Sequence, residues 1–165
     1  MKNKIIFFLV LIIFSSFEEV DYVSTSYSPV LIEYESLKKS ITIHPAREII
    51  NPLKINLYKD FILISEKYKG IHIIDNTNPS NPVNSGFLYI PGCIDMAVKD
   101  DVVYADNAVD LVSIDISSLP SIEILDRVEK IFPEPTPPDL DYIPAVFSSR
   151  NRPKNTVITG WIYNN

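Results

Sequence analysis

The chain has 165 residues, 22% of them charged and 46% hydrophobic, the balance of one globular domain rather than of a disordered tail or a polytopic membrane protein. A net charge of −6 supplies no broad basic surface and speaks against nucleic acid as a partner. One Cys and two His exclude an internal disulfide framework and the usual four-ligand zinc sites, and 4 Gly beside 13 Pro suits short strands better than long helices.

Lys2 and Lys4 precede an uninterrupted apolar run from Ile5 to Phe14, followed by Ser15, Ser16 and the acids Glu18, Glu19 and Asp21. That order predicts a secretory signal over residues 1–16. A run of ten falls short of the roughly 20 residues that cross a bilayer, so an uncleaved anchor is the weaker reading. The expected location is the periplasm, the cell surface or the medium. Losing residues 1–16 removes two lysines and no acid, which takes the net charge from −6 to −8. Phe14-Ser15-Ser16-Phe17 has the shape of a bacterial lipobox with Phe17 where the acylated cysteine would stand, so no lipid anchor is expected. A lost lipobox and an ordinary signal peptide with a poor cleavage site both fit.

Residues 17–49 form a separate N-terminal segment. From Leu31 to Ile41, Glu33, Glu35, Lys38 and Lys39 alternate with Ile32, Leu37 and Ile41, a pattern compatible with one short helix.

A repeat spans residues 50–132. Shifting the chain by 40 residues without a gap pairs Lys59-Asp60 with Lys99-Asp100, Ile62-Leu63 with Val102-Val103, Glu66 with Asp106, and Ile74-Asp75 with Ile114-Asp115. A period near 40 made of short β-branched runs between turn clusters predicts an all-β, β-propeller-like arrangement of two four-stranded blades, 50–90 and 91–132. The strands are expected near Leu53–Tyr58, Phe61–Glu66, Gly70–Asp75 and Val83–Ile90, then Cys93–Val98, Asp101–Asp106, Val109–Asp115 and Ile122–Val128.

Gly70-Ile71-His72-Ile73-Ile74-Asp75-Asn76-Thr77-Asn78-Pro79, and more loosely Asp110-Leu111-Val112-Ser113-Ile114-Asp115-Ile116-Ser117, resemble the LVIVD repeat of bacterial exported proteins. The resemblance covers about half the chain. It implies a β-propeller on a secreted or lipid-anchored surface protein, with no activity common to the family. The second copy departs from the pattern at Ser113 and at Ser118-Leu119.

Phe132-Pro133-Glu134-Pro135-Thr136-Pro137-Pro138 reads as an extended connector, and Thr156–Tyr163 as the opening strand of a further, incomplete unit. Repeat arrays need about three units or caps. The segment Ile32 to Ile49 offers a cap for the first blade, and no cap is evident for the second. The expectation is therefore a short or truncated family member that self-associates through its second blade.

Asp75 and Asp115 recur in both repeats, as do Glu66 and Asp106, and recurrence favours a structural role in turns over metal or acid–base chemistry. Asp95, Asp100, Asp101, Asp106 and Asp110 cluster in sequence without the spacing of a calcium loop. His72 lies in an apolar run, His44 stands beside Pro45, and Cys93 reads as a small core residue. Tyr58, Tyr68, Tyr89 and Tyr104 offer either an aromatic binding face or filler between blades. No nucleophile elbow, phosphate loop or zinc-protease motif occurs. No catalytic residue, metal or cofactor is expected. The leading expectation is a non-catalytic exported module that meets a protein or a glycan at the bacterial cell envelope. The rivals are a fragment of a propeller-fold hydrolase or lyase, marked by Asp95 and His72 converging on a metal in one channel, and a structural spacer.

Overall fold

Two tight turns set the architecture. Tyr58 faces Phe61 across Lys59-Asp60, and Lys99 faces Val102 across Asp100-Asp101. The first residue of each turn has positive φ, 49° at Lys59 and 53° at Asp100, the sign that two-residue hairpins use to match strand twist. The computed structural model describes residues 24–164, so the signal segment and Phe17 lie outside the described residues. The protein is all-β, and its strands lie within three residues of those expected in both repeats. β3 (Pro52–Tyr58), β4 (Phe61–Glu66), β5 (Gly70–Asp75) and β6 (Val83–Tyr89) make one antiparallel meander. β7 (Met96–Lys99), β8 (Val102–Asn107), β9 (Asp110–Asp115) and β10 (Glu123–Val128) make the next.

The meanders correspond pair by pair, with a correction to the repeat. Leu57 opposite Ile62 matches Val98 opposite Val103, an offset of 41 residues, whereas Asp75 matches Asp115 at an offset of 40. One residue is lost between the second and third strands: Lys67-Tyr68-Lys69 connect them in the first sheet and Ala108-Val109 in the second. Glu66 therefore corresponds to Asn107, not to Asp106, and Lys59-Asp60 to Asp100-Asp101.

The sheets stack front to back. Leu63, Ile71, Ile73 and Leu88 share a core with Met96, Val103, Ala105, Val112 and Ile114. In the pairwise correspondence these are opposite faces, because the second-sheet counterparts of Leu63 and Ile73 are Tyr104 and Ser113, which alternate with the core residues of their strands. β3 and β7 run side by side, where Lys54 Nζ lies 2.7 Å from Asp95. On the opposite side an open cleft of about 620 Å³ separates Ile43 from Ile122.

The flanking segments overturn three expectations. The stretch from Leu31 to Ile41 is not one helix: β1 (Tyr27–Glu33) leads into a single helical turn, α1 (Tyr34–Leu37), which Ser40 Oγ closes by donating to Leu37 O at 2.7 Å. β2 (Thr42–His44) then pairs with β6 as a fifth strand of the first sheet. Thr156–Tyr163 does form a strand, β11, but its partner is β1, so it opens no further unit. The β1–β11 ribbon lies over the β4–β5 and β8–β9 turns, with Gly160 against the Tyr68 ring and Val157 clustered with Ala108 and Val109. Finally, the second sheet is not without a cover, because Phe132–Thr136 passes over part of its outer face.

Candidate functional site

Phe132–Thr136 has no helix or strand and is held at fixed points along its length. Phe132 N donates to Val109 O at 2.9 Å, and Trp161 Nε1 donates to Pro135 O at 2.8 Å. Glu134 accepts from Ile158 N at 3.0 Å and pairs with the Arg152 guanidinium. Proline carries no N–H, so beyond the Phe132 N–H this segment depends on the Pro135 carbonyl and on Glu134 for anchorage. Between the segment and the sheet lies a groove of about 590 Å³, walled by Ile94, Ala97, Tyr104, Leu111 and Phe132.

Three carboxylates line this apolar groove: Glu134, held as above, and Asp95 and Asp106. Asp106 accepts from Ile94 N at 2.9 Å and Asp95 N at 2.7 Å; burial raises its carboxyl above the ordinary value, and these backbone bonds only partly offset the rise. Asp95 sits below the ordinary value because Lys54 donates to it at 2.7 Å. Beneath them Cys93 is buried, and burial together with the charges of Asp106 and Asp95 pushes its thiol well up. Such a thiol stays protonated and inert.

The other acids and histidines singled out in the sequence lie elsewhere. Asp75 Oδ1 accepts from Thr77 N at 2.9 Å and from Thr77 Oγ1 at 2.6 Å, and Asp115 Oδ1 accepts from Ser117 N at 2.7 Å. Both therefore close the turn that follows a third strand, and these bonds hold both carboxyls below the ordinary range. Asp101 accepts from Tyr58 Oη at 2.6 Å and pairs with Lys59 at 2.7 Å. Asp100 lies in the β7–β8 turn. His44 is exposed, with Nε2 2.9 Å from Thr42 Oγ1.

Two buried polar knots escaped the sequence reading. Glu66 Oε2 lies 2.6 Å from His72 Nε2, and Arg47 reaches Glu66 Oε1 at 3.2 Å. His72 Nδ1 is buried with no hydrogen-bond partner among the described residues. In the second sheet Asp110 accepts from Arg127 at 2.7 Å, Lys130 N at 2.8 Å and Tyr34 Oη at 3.0 Å. Arg127 also donates to Asn107 Oδ1 at 2.8 Å. The knots occupy related places, since Glu66 corresponds to Asn107 and Gly70 to Asp110. Buried carboxylates in apolar strands were the available signal; their arginines come from 19 and 17 residues away.

Among the described residues no three His, Cys, Asp or Glu side chains gather as metal ligands. His72 and Asp95 have separate partners, Glu66 and Lys54. The tyrosines also disperse: Tyr58 lies between the sheets, Tyr68 under the ribbon, Tyr89 edge-on to His44, and Tyr104 in the groove. Comparison of the chain with protein-family models, with characterised proteins and with solved structures finds no match.

Proposed function

We propose that the chain is an exported, non-catalytic module of the LVIVD type, built from two β-propeller blades, that binds a protein at the bacterial cell envelope through its second sheet. The front-to-back stacking of the two meanders carries this reading. Propeller blades stack with the same sense, each presenting one face type to the blade before and the other to the blade after. Two sheets so stacked leave one face of each kind available, and the groove lies on one of them.

The groove's apolar walls favour a protein surface over a glycan, whose hydroxyls would lose water there without finding donors or acceptors. Asp95 and Asp106 at its rim are engaged by Lys54 and by backbone N–H groups, which suits structural acids better than acid–base chemistry.

The test is retention on isolated envelopes. The wild-type chain, expressed with residues 1–16, is expected in the exported fraction without incorporating labelled fatty acid. It should remain with washed envelopes, whereas Ala97→Arg, which places a long cation in the groove, should wash off. Equal retention of the two, or a chain that never leaves the cytoplasm, overturns the reading.

A further inference from the structure

The outer face of the first sheet is covered along β5 and β6, where His72, Ile74 and Phe87 are buried, but along its β3 edge it is open and carries the residue pattern of a buried face. Within the molecule, the pairs Met96–Ala105 and Val98–Val103 of the second sheet form its contact with the first. Their first-sheet counterparts are Ile55–Ile64 and Leu57–Ile62, again four apolar side chains, at the matching pairs. Yet Leu57 is 75% exposed and Ile55 64%, and both stand on an edge strand. Exposed apolar side chains on consecutive same-face positions of an edge strand are an association surface unless something covers them.

The covering element should be whatever the equivalent face meets inside the molecule. Met96, Val98, Val103 and Ala105 meet the opposite face type, presented by the first sheet. The other example of that face type belongs to the second sheet, where Ala97, Tyr104 and Leu111 line the groove. Tyr104 is the counterpart of the buried Leu63 and is 39% exposed. The uncovered parts of the two outer faces, the β3–β4 stripe of the first sheet and the part of the second that Phe132–Thr136 leaves free, are thus the two halves of the contact already made within the chain.

We propose that the partner of the groove is a second copy of this chain, docked head to tail, with the Ile55–Leu57 stripe of one copy on the Tyr104 face of the next. This names the partner left open above and rests on that reading of the groove. Charge at the β3–β7 side of the sheets is consistent with the same geometry. Asp95 is the second-sheet counterpart of Lys54, so repeating the internal stacking brings Asp95 of one copy to Lys54 of the next, opposite in sign. A head-to-tail contact uses two different patches, so it either closes into a ring or continues as a filament. A ring of roughly two to four copies would hold the four to eight sheets with which propellers close.

Sedimentation velocity of the chain purified after expression from its full-length gene provides the test. Wild type should show a concentration-dependent shift from monomer to a larger species. Leu57→Glu should abolish that shift, as should Tyr104→Glu, with far-ultraviolet circular dichroism unchanged because both side chains are exposed. Ile55→Ser, which adds no charge, should weaken association at least tenfold. Mixing Leu57→Glu with Tyr104→Glu is decisive, since each retains the patch the other lacks and the mixture should give a 1:1 dimer that grows no further. No dimer in that mixture, or a shift that only one substitution affects, means the contact is not head to tail. Monomeric wild type at all concentrations also overturns the proposal; if Ala97→Arg still lowers envelope retention in that case, the groove binds a different protein and the functional reading stands.

Discussion

Leu63 and Tyr104 hold the same position in consecutive sheets, yet Leu63 is 1% exposed and Tyr104 is 39% exposed. The difference is the neighbour. Leu63 packs on the second sheet, while Tyr104 looks into the groove beneath Phe132–Thr136. At concentrations low enough to keep the chain monomeric, Leu63→Ala should cost about 2–4 kcal/mol in urea unfolding through lost burial and a residual cavity. Tyr104→Ser should cost less than about 1 kcal/mol. Equal losses would mean the two sheets do not stack as described.

Glu66 is buried against His72 and Arg47, so removing its carboxylate leaves two hydrogen-bonding groups without their acceptor. Glu66→Ala should destabilise the chain by about 1.5–3 kcal/mol, the range for a hydrogen bond to a charged group. Glu66→Gln keeps an acceptor and a similar volume, and should lose about half as much. Urea unfolding of the two variants beside wild type checks the order.

The eight strands of the two meanders were legible because short β-branched runs stand between turn residues, and local pattern suffices for that. The loss of one residue between the second and third strands was not legible. A gapless shift still matched apolar positions, since a one-residue slip in a strand with Ile62, Leu63 and Ile64 in a row leaves hydrophobic residues on both faces. Pairing of β1 with β11 was hidden for a different reason. Its strands lie more than a hundred residues apart, and nothing in Thr156–Tyr163 alone indicates whether the partner is a later strand or an earlier one. The alternation around Leu37 suggested a helix because Leu37 and Ile41, four apart, fit helical spacing, but Val30 to Ile32 have strand partners in β11. In the groove, Tyr104 and the proline segment were each noticed, whereas Trp161 and Arg152, which anchor that segment, were not.

Asp75 and Asp115 predict the shape of the acid limb of stability. Turn hydrogen bonds hold both carboxyls below 3.8 in the folded chain, so their contribution is present above that value and is lost as pH falls through the folded values. Asp106 has the opposite sign, because burial raises its carboxyl and its protonation favours the folded state as pH falls. Thermal melts between pH 6 and pH 2, about the range over which carboxylates titrate, should show a shallower acid limb for Asp75→Asn and Asp115→Asn and a steeper one for Asp106→Asn. A chelator should leave all four melts unchanged. A chelator-sensitive melt that Asp75→Asn abolishes would identify a ligand rather than a turn residue.

Cys93 should resist thiol reagents in the folded chain. It is fully buried beneath Asp95 and Asp106, and both burial and those charges disfavour the thiolate that reacts. With Ellman's reagent at pH 8, labelling should track unfolding by urea and reach one thiol per chain only after the transition. Rapid labelling without denaturant would show that the β6–β7 connection opens on its own.

Gly160 tests whether the ribbon is part of the same folded unit as the sheets. A Cβ added there would lie 2.7 Å from Cγ and Cδ2 of Tyr68 and 2.9 Å from its Cβ, so the contact is with the root of the side chain and no rotation of the ring relieves it. Tyr68 is itself fixed, with a left-handed φ of 65° and its N–H donating to Cys93 O at 2.7 Å. Gly160→Ala should therefore push β11 off the β4–β5 turn and cost about 1–3 kcal/mol, the usual range for an overpacked contact. Tyr68→Ala removes the obstruction, and in that background Gly160→Ala should cost far less than it does alone. The double-mutant cycle is the measurement, because only residues in contact show such non-additivity. Additive losses would mean that the ribbon and the first sheet are separate, and that the β1–β11 pair gains nothing from packing on Tyr68.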